Sequence, residues 1–274
     1  MRGARPIVDP IVSEIYKNFS YHGVTLEQYS IAWKTWLTNS SNKQLLGIEN
    51  FPYFDFTNGT SQTFDNFILK YSATRTIVVL PGEFQYYKCI GRHQKLVTSD
   101  TVSENQALIM SVPFSDYGSV HPNFNNILKK CNELNIPVCL DLAYWGISKN
   151  INLDLTQYPC VTEITSSLSK PFHTLENHRV GIRFTRNYEN DGISMINEVG
   201  MQNKYSMCIG CYYMERLSCD FMWDKYSQKY YEVCANLKLK NTNTVIFGLG
   251  DCSYSKYNRG ILNNNRVCIS ENLI

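Results

Sequence analysis

Five short apolar runs dominate the middle of the chain, at residues 76–80, 108–112, 136–142, 160–165 and 179–184. They are largely apolar rather than alternating, which marks strands covered on both faces. Between them lie longer stretches whose apolar residues recur every three to four positions. Phe64, Phe67, Ile68 and Tyr71 fall on one face of a helix predicted over 61–72. Phe124, Ile127, Leu128, Cys131 and Leu134 fall on one face of a helix that Pro122 opens. Strands covered on both sides and separated by helices point to an α/β fold, a mainly parallel sheet between two helical layers. An extended segment at 54–57 precedes this region.

The flanks read differently. Residues 1–50 are mostly helical and amphipathic, through Ile11, Ile15, Phe19, Leu26, Tyr29, Ile31, Trp33 and Trp36. Helical spacing returns over 205–240, and 244–248 and 266–270 read as two strands of a small C-terminal layer. The expected organisation is an N-terminal helical segment (1–50), a large α/β domain (51–185), and connecting helices with a small α+β domain (186–274). A chain of 274 residues is long enough to bury such a core without disulfides or metal.

Composition narrows the function classes. With 43% hydrophobic and 18% charged residues the chain belongs with folded proteins rather than disordered ones. A formal net charge of +2, without a long block of one sign, argues against a nucleic-acid surface. No apolar run approaches the roughly 18 residues of a membrane helix. The N-terminus has no long apolar core of a secretory signal, so a cytoplasmic protein is expected. The ten cysteines, spread from Cys89 to Cys268, then read as reduced, buried thiols. Cys208 and Cys211 form a CxxC with no second pair, and no metal site is expected.

In open α/β sheets ligands bind beyond the carboxyl ends of the strands, so the polar residues there are the candidates. Four segments qualify. Gly59, Thr60 and Ser61 join a strand end to a helix start, where free backbone N–H groups suit a phosphate, although Thr and Ser also cap helices without any ligand. Asp141 ends an apolar strand, where it either caps the next turn or meets a cation. Lys170, after Ser167 and Ser169 and before Pro171-Phe172, is either a solvated loop lysine or a partly desolvated amine suited to imine chemistry. Arg179 opens a strand, as a surface ion-pair partner or as a phosphate ligand.

The order Asn58-Gly59-Thr60-Ser61, Asp141-x-Ala143-Tyr144, Ser167-x-Ser169-Lys170, Arg179-Val180-Gly181 resembles the class I/II aminotransferases. These are pyridoxal 5'-phosphate (PLP) enzymes of fold-type I, and the likeness is to the aspartate and histidinol-phosphate branch. The resemblance spans about residues 54–184, with an echo near the C-terminus. It implies a fold-type I large domain, with both ends of the chain shortened, and transamination between an amino acid and a 2-oxo acid by a homodimer. It implies that Lys170 forms the internal aldimine and shuttles the proton, that Asp141 pairs with the ring nitrogen, and that Tyr144 donates to the phenolic oxygen. Gly59, Thr60, Ser61, Ser167 and Arg179 are implied as the phosphate cup, with Ser169 assisting. Phe84, or next Tyr87, is implied as the aromatic that stacks on the ring, against the alternative of an ordinary core aromatic. Ser115 stands where the family carries the Asn of an Asn-Pro-Thr-Gly stretch, and the spacing from Lys170 to Arg179 is one residue longer than usual. Arg266, in Asn265-Arg266-Val267-Cys268, is implied as the ligand of the substrate carboxylate. Another PLP reaction, such as decarboxylation or a lyase reaction, and a degenerate non-catalytic member remain as alternatives.

Overall fold

A computed structural model describes residues 3–90 and 96–274, the side chains of 88–90 excepted, so Met1, Arg2 and the Cys89 thiol lie outside the described residues. In chain order the elements begin with helices α1 (Pro10–Lys17) and α2 (Leu26–Thr38) and strands β1 (Gln44–Leu46) and β2 (Tyr53–Asn58). Then follow α3 (Thr60–Ser72), β3 (Thr76–Val79), α4 (Gln85–Ile90), β4 (Leu96–Thr98), β5 (Gln106–Ser111), α5 (Phe124–Glu133) and β6 (Val138–Asp141). Next come β7 (Asn152–Asp154), β8 (Val161–Ser167), β9 (Val180–Thr185), α6 (Gly192–Glu198), α7 (Lys204–Met214) and α8 (Phe221–Asn236). The last strands are β10 (Lys240–Asn241), β11 (Phe247–Gly250) and β12 (Asn265–Cys268).

Seven strands make the central sheet in the order β2-β9-β8-β6-β5-β3-β4. The run from β8 through β6, β5 and β3 to β4 is parallel, and β9 is antiparallel to both β8 and β2. The apolar runs explain why both faces must be covered. Successive residues of a strand point to opposite sides. Ile77 and Val79, with Ala107, Ile109 and Cys139, join Phe64, Phe67 and Ile68 of α3 in one core. Val78, Leu108, Met110, Val138 and Leu140 join α5 and the N-terminal helices in the other. The result is the three-layer α/β arrangement that the sequence pattern requires. A separate antiparallel sheet, β10-β11-β12, carries the C-terminal segment.

Several local expectations shift. Pro122 lies in a turn before α5, which starts at Phe124. On α1 it is Val12 that is buried while Ile11 is exposed, and on α2 Ile31 faces outward. The helical stretch at 205–240 is two helices separated by residues 215–220, with Asp220 at the N-cap of α8. Its carboxylate accepts from Ser40 Oγ at 2.7 Å, Ser41 N at 2.8 Å and Lys43 Nζ at 2.6 Å. The strand expected at 244–248 starts at Phe247 because Thr244 is held elsewhere, its Oγ1 on Gly118 O at 2.8 Å. Residues 1–50 are not helical throughout: β1 pairs in parallel with β7. Of nine free cysteines among the described residues, Cys252 alone is exposed. His22 Nδ1 comes within 3.6 Å of Cys208 Sγ, a proximity that the sequence did not reveal. Among the described residues no cluster of three or more potential metal ligands forms, and no helix is long and apolar enough to cross a membrane.

Candidate active site

The carboxyl ends of β2, β5, β6 and β8 open onto a cavity of about 830 Å³. Thr60, Ser61, Phe84, Ser115, Asp141, Tyr144, Ser167, Ser169, Lys170, Arg179 and Arg266 all line it. Gly59 lies directly behind Arg179. The structure therefore brings together side chains from seven separate stretches of sequence.

At one end, β2 turns into α3 through Gly59, whose φ of +72° and ψ of 174° suit glycine alone. A Cβ on Gly59 would lie 2.6 Å from Arg179 Nη2, so the bare glycine is what lets the guanidinium approach. Gly181 mirrors it, since a Cβ there would meet Gly59 Cα at 2.7 Å. Arg179, itself at φ +56°, donates from Nη2 to Ser61 Oγ at 2.7 Å. The first turn of α3, the Ser61 hydroxyl and an exposed guanidinium thus stand together at the positive end of a helix of 13 residues, where they could hold an anion. Ser167 and Ser169, 2.9 Å apart at Oγ, add hydroxyls where β8 ends.

Asp141 is buried at the end of β6. Its Oδ1 accepts from Ala143 N at 2.9 Å and its Oδ2 from the Tyr87 hydroxyl at 3.1 Å. It caps the next turn, as the first sequence reading has it, and it also lines the cavity. Burial pushes its pKa up to about 6, against those hydrogen bonds and the charge of Lys170. Lys170, half-buried after β8, donates from Nζ to Ala4 O at 2.9 Å, and this tie brings the N-terminal segment to the mouth of the cavity. Tyr144 is packed edge-on against Phe247, with ring centroids 5.3 Å apart.

The two aromatic candidates separate. Phe84 lines the cavity and is 41% exposed, while Tyr87 is fully buried edge-on against Phe64 and serves the site through the hydroxyl it gives to Asp141. Ser115 is fixed by its N–H on Ser111 Oγ at 2.9 Å, and its carbonyl accepts from Arg266 Nη1 at 2.5 Å. Arg266 lies over the Phe247 ring, 4.1 Å from its centroid.

Sequence reasoning missed three charged residues of this cavity, Glu83, Glu176 and Arg259. Glu83, buried just past β3, accepts from Ser111 N at 2.6 Å and Ser111 Oγ at 2.7 Å, and burial pushes it up to about 7. Its place beyond a strand end was a usable signal. Arg259 enters from the β11–β12 connection, in a stretch whose sequence shows no periodicity to place it.

Solved structures share this fold. A PLP-bound C-S lyase from Staphylococcus hominis is 13% identical, with a TM-score of 0.69 over 92% of this chain and 75% of that one. Tyrosine aminotransferase from Leishmania infantum is 15% identical, with a TM-score of 0.63 over 98% and 87%. Histidinol-phosphate aminotransferase from Clostridium acetobutylicum is 14% identical, with a TM-score of 0.53 over 87% and 76%. The chain has the fold-type I architecture of these PLP enzymes. No protein-family model and no curated protein sequence matches it. Within the fold-type I frame, the residues present suit the coenzyme: an amine for its aldehyde, a buried carboxylate for its ring nitrogen, and at Gly59 a cradle kept open beside an anion cup.

Proposed function

We propose that the chain is a PLP-dependent enzyme acting on amino acids, and specifically an aminotransferase exchanging an amino group between an amino acid and a 2-oxo acid. One observation carries the reading: Lys170, Asp141 and the Arg179–Ser61 cup line a single cavity at the carboxyl ends of the parallel strands. Thr60, Ser61, Ser167 and Arg179 would hold the phosphate behind Gly59, with Ser169 supporting Ser167. Asp141 would hold the ring nitrogen in its protonated form, and Tyr144 and Ser115 would reach the phenolic oxygen. Phe84 would cover one face of the ring. When bound, the coenzyme supplies an electron-withdrawing ring that stabilises negative charge at the substrate α-carbon. Lys170 Nζ takes the proton from that carbon, and Arg266 orients the substrate through its carboxylate. A homodimer and a cytoplasmic location go with this reading.

A lyase reaction in the same cavity is the second reading, favoured by the C-S lyase among the matching folds. A binding-only protein is the third, favoured by Ser115 in place of the expected Asn. The test adds PLP, follows the absorbance of the bound coenzyme, fixes it with borohydride and maps the modified peptide. Modification at Lys170, lost in Lys170→Ala, supports the reading, and an unmodified chain sinks it. A panel of amino donors with and without a 2-oxo acid then separates amino transfer from elimination, and capture without turnover marks the binding-only protein. Sedimentation velocity reads the assembly.

A further inference from the structure

The CxxC of the sequence takes no part in the reaction proposed above, and in the fold it gains a partner. Cys208 and Cys211 are free thiols three residues apart on α7. Residues at this spacing share one face of a helix. A rise of about 1.5 Å and a turn of about 100° per residue put their Cα atoms about 5 Å apart, inside the window of about 4.4–6.8 Å that a disulfide spans. The loop between α1 and α2 lays His22 against this pair. The His22 backbone N–H donates to Cys208 Sγ at 3.4 Å, and its Nδ1 stands 3.6 Å from the same sulfur. The other neighbour of Nδ1 is Ser20 O, at 3.3 Å.

The two thiols differ in their surroundings. Cys208 has an imidazole to take its proton and an N–H to receive charge on its sulfur. Cys211 has neither. Burial, then Glu215 and Cys208, push its thiol up to about 12, so it stays protonated. Cys211 lines a second cavity of about 420 Å³ between α2 and α7, and His22 and Gly23 line the same cavity. This cavity shares no residue with the one that holds Lys170. Cys208 and Cys211 are only 0% and 3% exposed, which shuts out a bulky oxidant such as another protein's disulfide and leaves the pair to a small one.

We propose that Cys208, Cys211 and His22 form a redox site that reduces a small hydroperoxide and closes a Cys208–Cys211 disulfide. His22 takes the proton of Cys208, whose sulfur attacks one oxygen of hydrogen peroxide. The S–O bond forms, the O–O bond breaks, and the departing hydroxide leaves as water with the proton from His22. Cys208 is then a sulfenic acid. The Cys211 sulfur attacks the Cys208 sulfur, the S–S bond forms and the S–O bond breaks, and the second hydroxide leaves as water with the Cys211 proton. Two thiols and one hydrogen peroxide give one disulfide and two waters.

The test treats the wild-type chain with hydrogen peroxide, blocks remaining thiols with N-ethylmaleimide and digests with trypsin. Cleavage after Lys204 and Arg216 leaves both thiols in the peptide Tyr205–Arg216, which holds no other cysteine. The closed bridge makes that peptide two hydrogens lighter and unlabelled. In the native chain it should close at least about tenfold faster than the exposed, unassisted Cys252 is oxidised, and the lead should vanish in urea. His22→Ala should slow closure by about tenfold. Cys211→Ser should stop at a Cys208 sulfenic acid that dimedone traps, and Cys208→Ser should leave Cys211 unmodified. A native wild-type chain in which the bridge forms no faster than Cys252 oxidises overturns the proposal even if no variant folds. So does a folded His22→Ala that closes at the wild-type rate, or a dimedone label on Cys211 in Cys208→Ser.

Discussion

Replacing Gly59 with Ala separates a backbone effect from a ligand effect at one position. At φ +72° and ψ 174° the residue occupies a region that is essentially restricted to glycine, and an L side chain there costs about 1–3 kcal/mol. That part should appear as lost stability in urea denaturation. The added Cβ would also stand 2.6 Å from Arg179 Nη2 and 2.9 Å from its Cζ, closer than any real contact. The guanidinium is the free end of a flexible side chain, so it yields and leaves Ser61 Oγ, now 2.7 Å away. A charge-assisted hydrogen bond to a phosphate contributes about 1.5–3 kcal/mol, which makes coenzyme binding roughly 10- to 100-fold weaker. Fluorescence titration with PLP reads this directly. The deciding measurement is the double variant. If Gly59 acts through Arg179, then Gly59→Ala with Arg179→Ala should bind no more weakly than Arg179→Ala alone. Unchanged affinity in a destabilised Gly59→Ala, or fully additive losses in the double variant, would refute the assignment of Arg179 to the anion cup.

Two further outcomes depend on buried acids. Asp141 is raised to about 6, so it is ionised above that pH and can hold a protonated ring nitrogen there; PLP affinity should fall as pH drops below 6, by up to about tenfold per pH unit, and Asp141→Asn should flatten the profile. Glu163 is buried on β8 with Lys70 Nζ 3.6 Å away and no hydrogen bond to either oxygen, and burial raises it from its ordinary 4.5 to about 7 despite Arg183 and Lys70. The folded chain thus holds this proton more tightly than the unfolded one. Stability from this group is highest below pH 4.5, declines between 4.5 and 7, and is flat above, a loss of about 3 kcal/mol. Glu163→Gln should therefore leave stability at pH 4.5 nearly unchanged and raise it at pH 8 by roughly 1–3 kcal/mol in urea denaturation; equal gains at both pH values would contradict the burial argument.

What the sequence made legible follows from locality. Asp141 and the Ser167–Lys170 segment stand at or just beyond the ends of apolar strands, so short apolar runs and the rule that parallel strands point their carboxyl ends one way were enough to gather them. Gly59 and Thr60 were legible for the same reason, at a strand-to-helix junction. Glu83 obeys that rule as well, past β3, and was missed because no motif drew attention to it. Arg259 was not legible on any local ground. It sits in a connection without periodicity and reaches Ser115, 144 positions earlier, only because β11 and β12 pair. The tie on Asp220 at the start of α8 has the same character: its partners Lys43, Ser40 and Ser41 lie some 180 positions away, where no local pattern marks them.

The division between legible and illegible residues also divides the site by what supports it. The groups expected to perform chemistry common to any amino-acid substrate, Lys170, Asp141 and the anion cup, sit on strand ends that the central sheet fixes rigidly. Other groups of the cavity wall, Arg259 from the connection between β11 and β12 and the Ala4 carbonyl against Lys170, come from outside the central sheet. Side chains on the sheet keep their geometry as long as the core does, whereas those on connections can be exchanged at little expense to folding. Reaction type should therefore be resistant to change in this chain, and residues in the connection between β11 and β12 should be open to exchange.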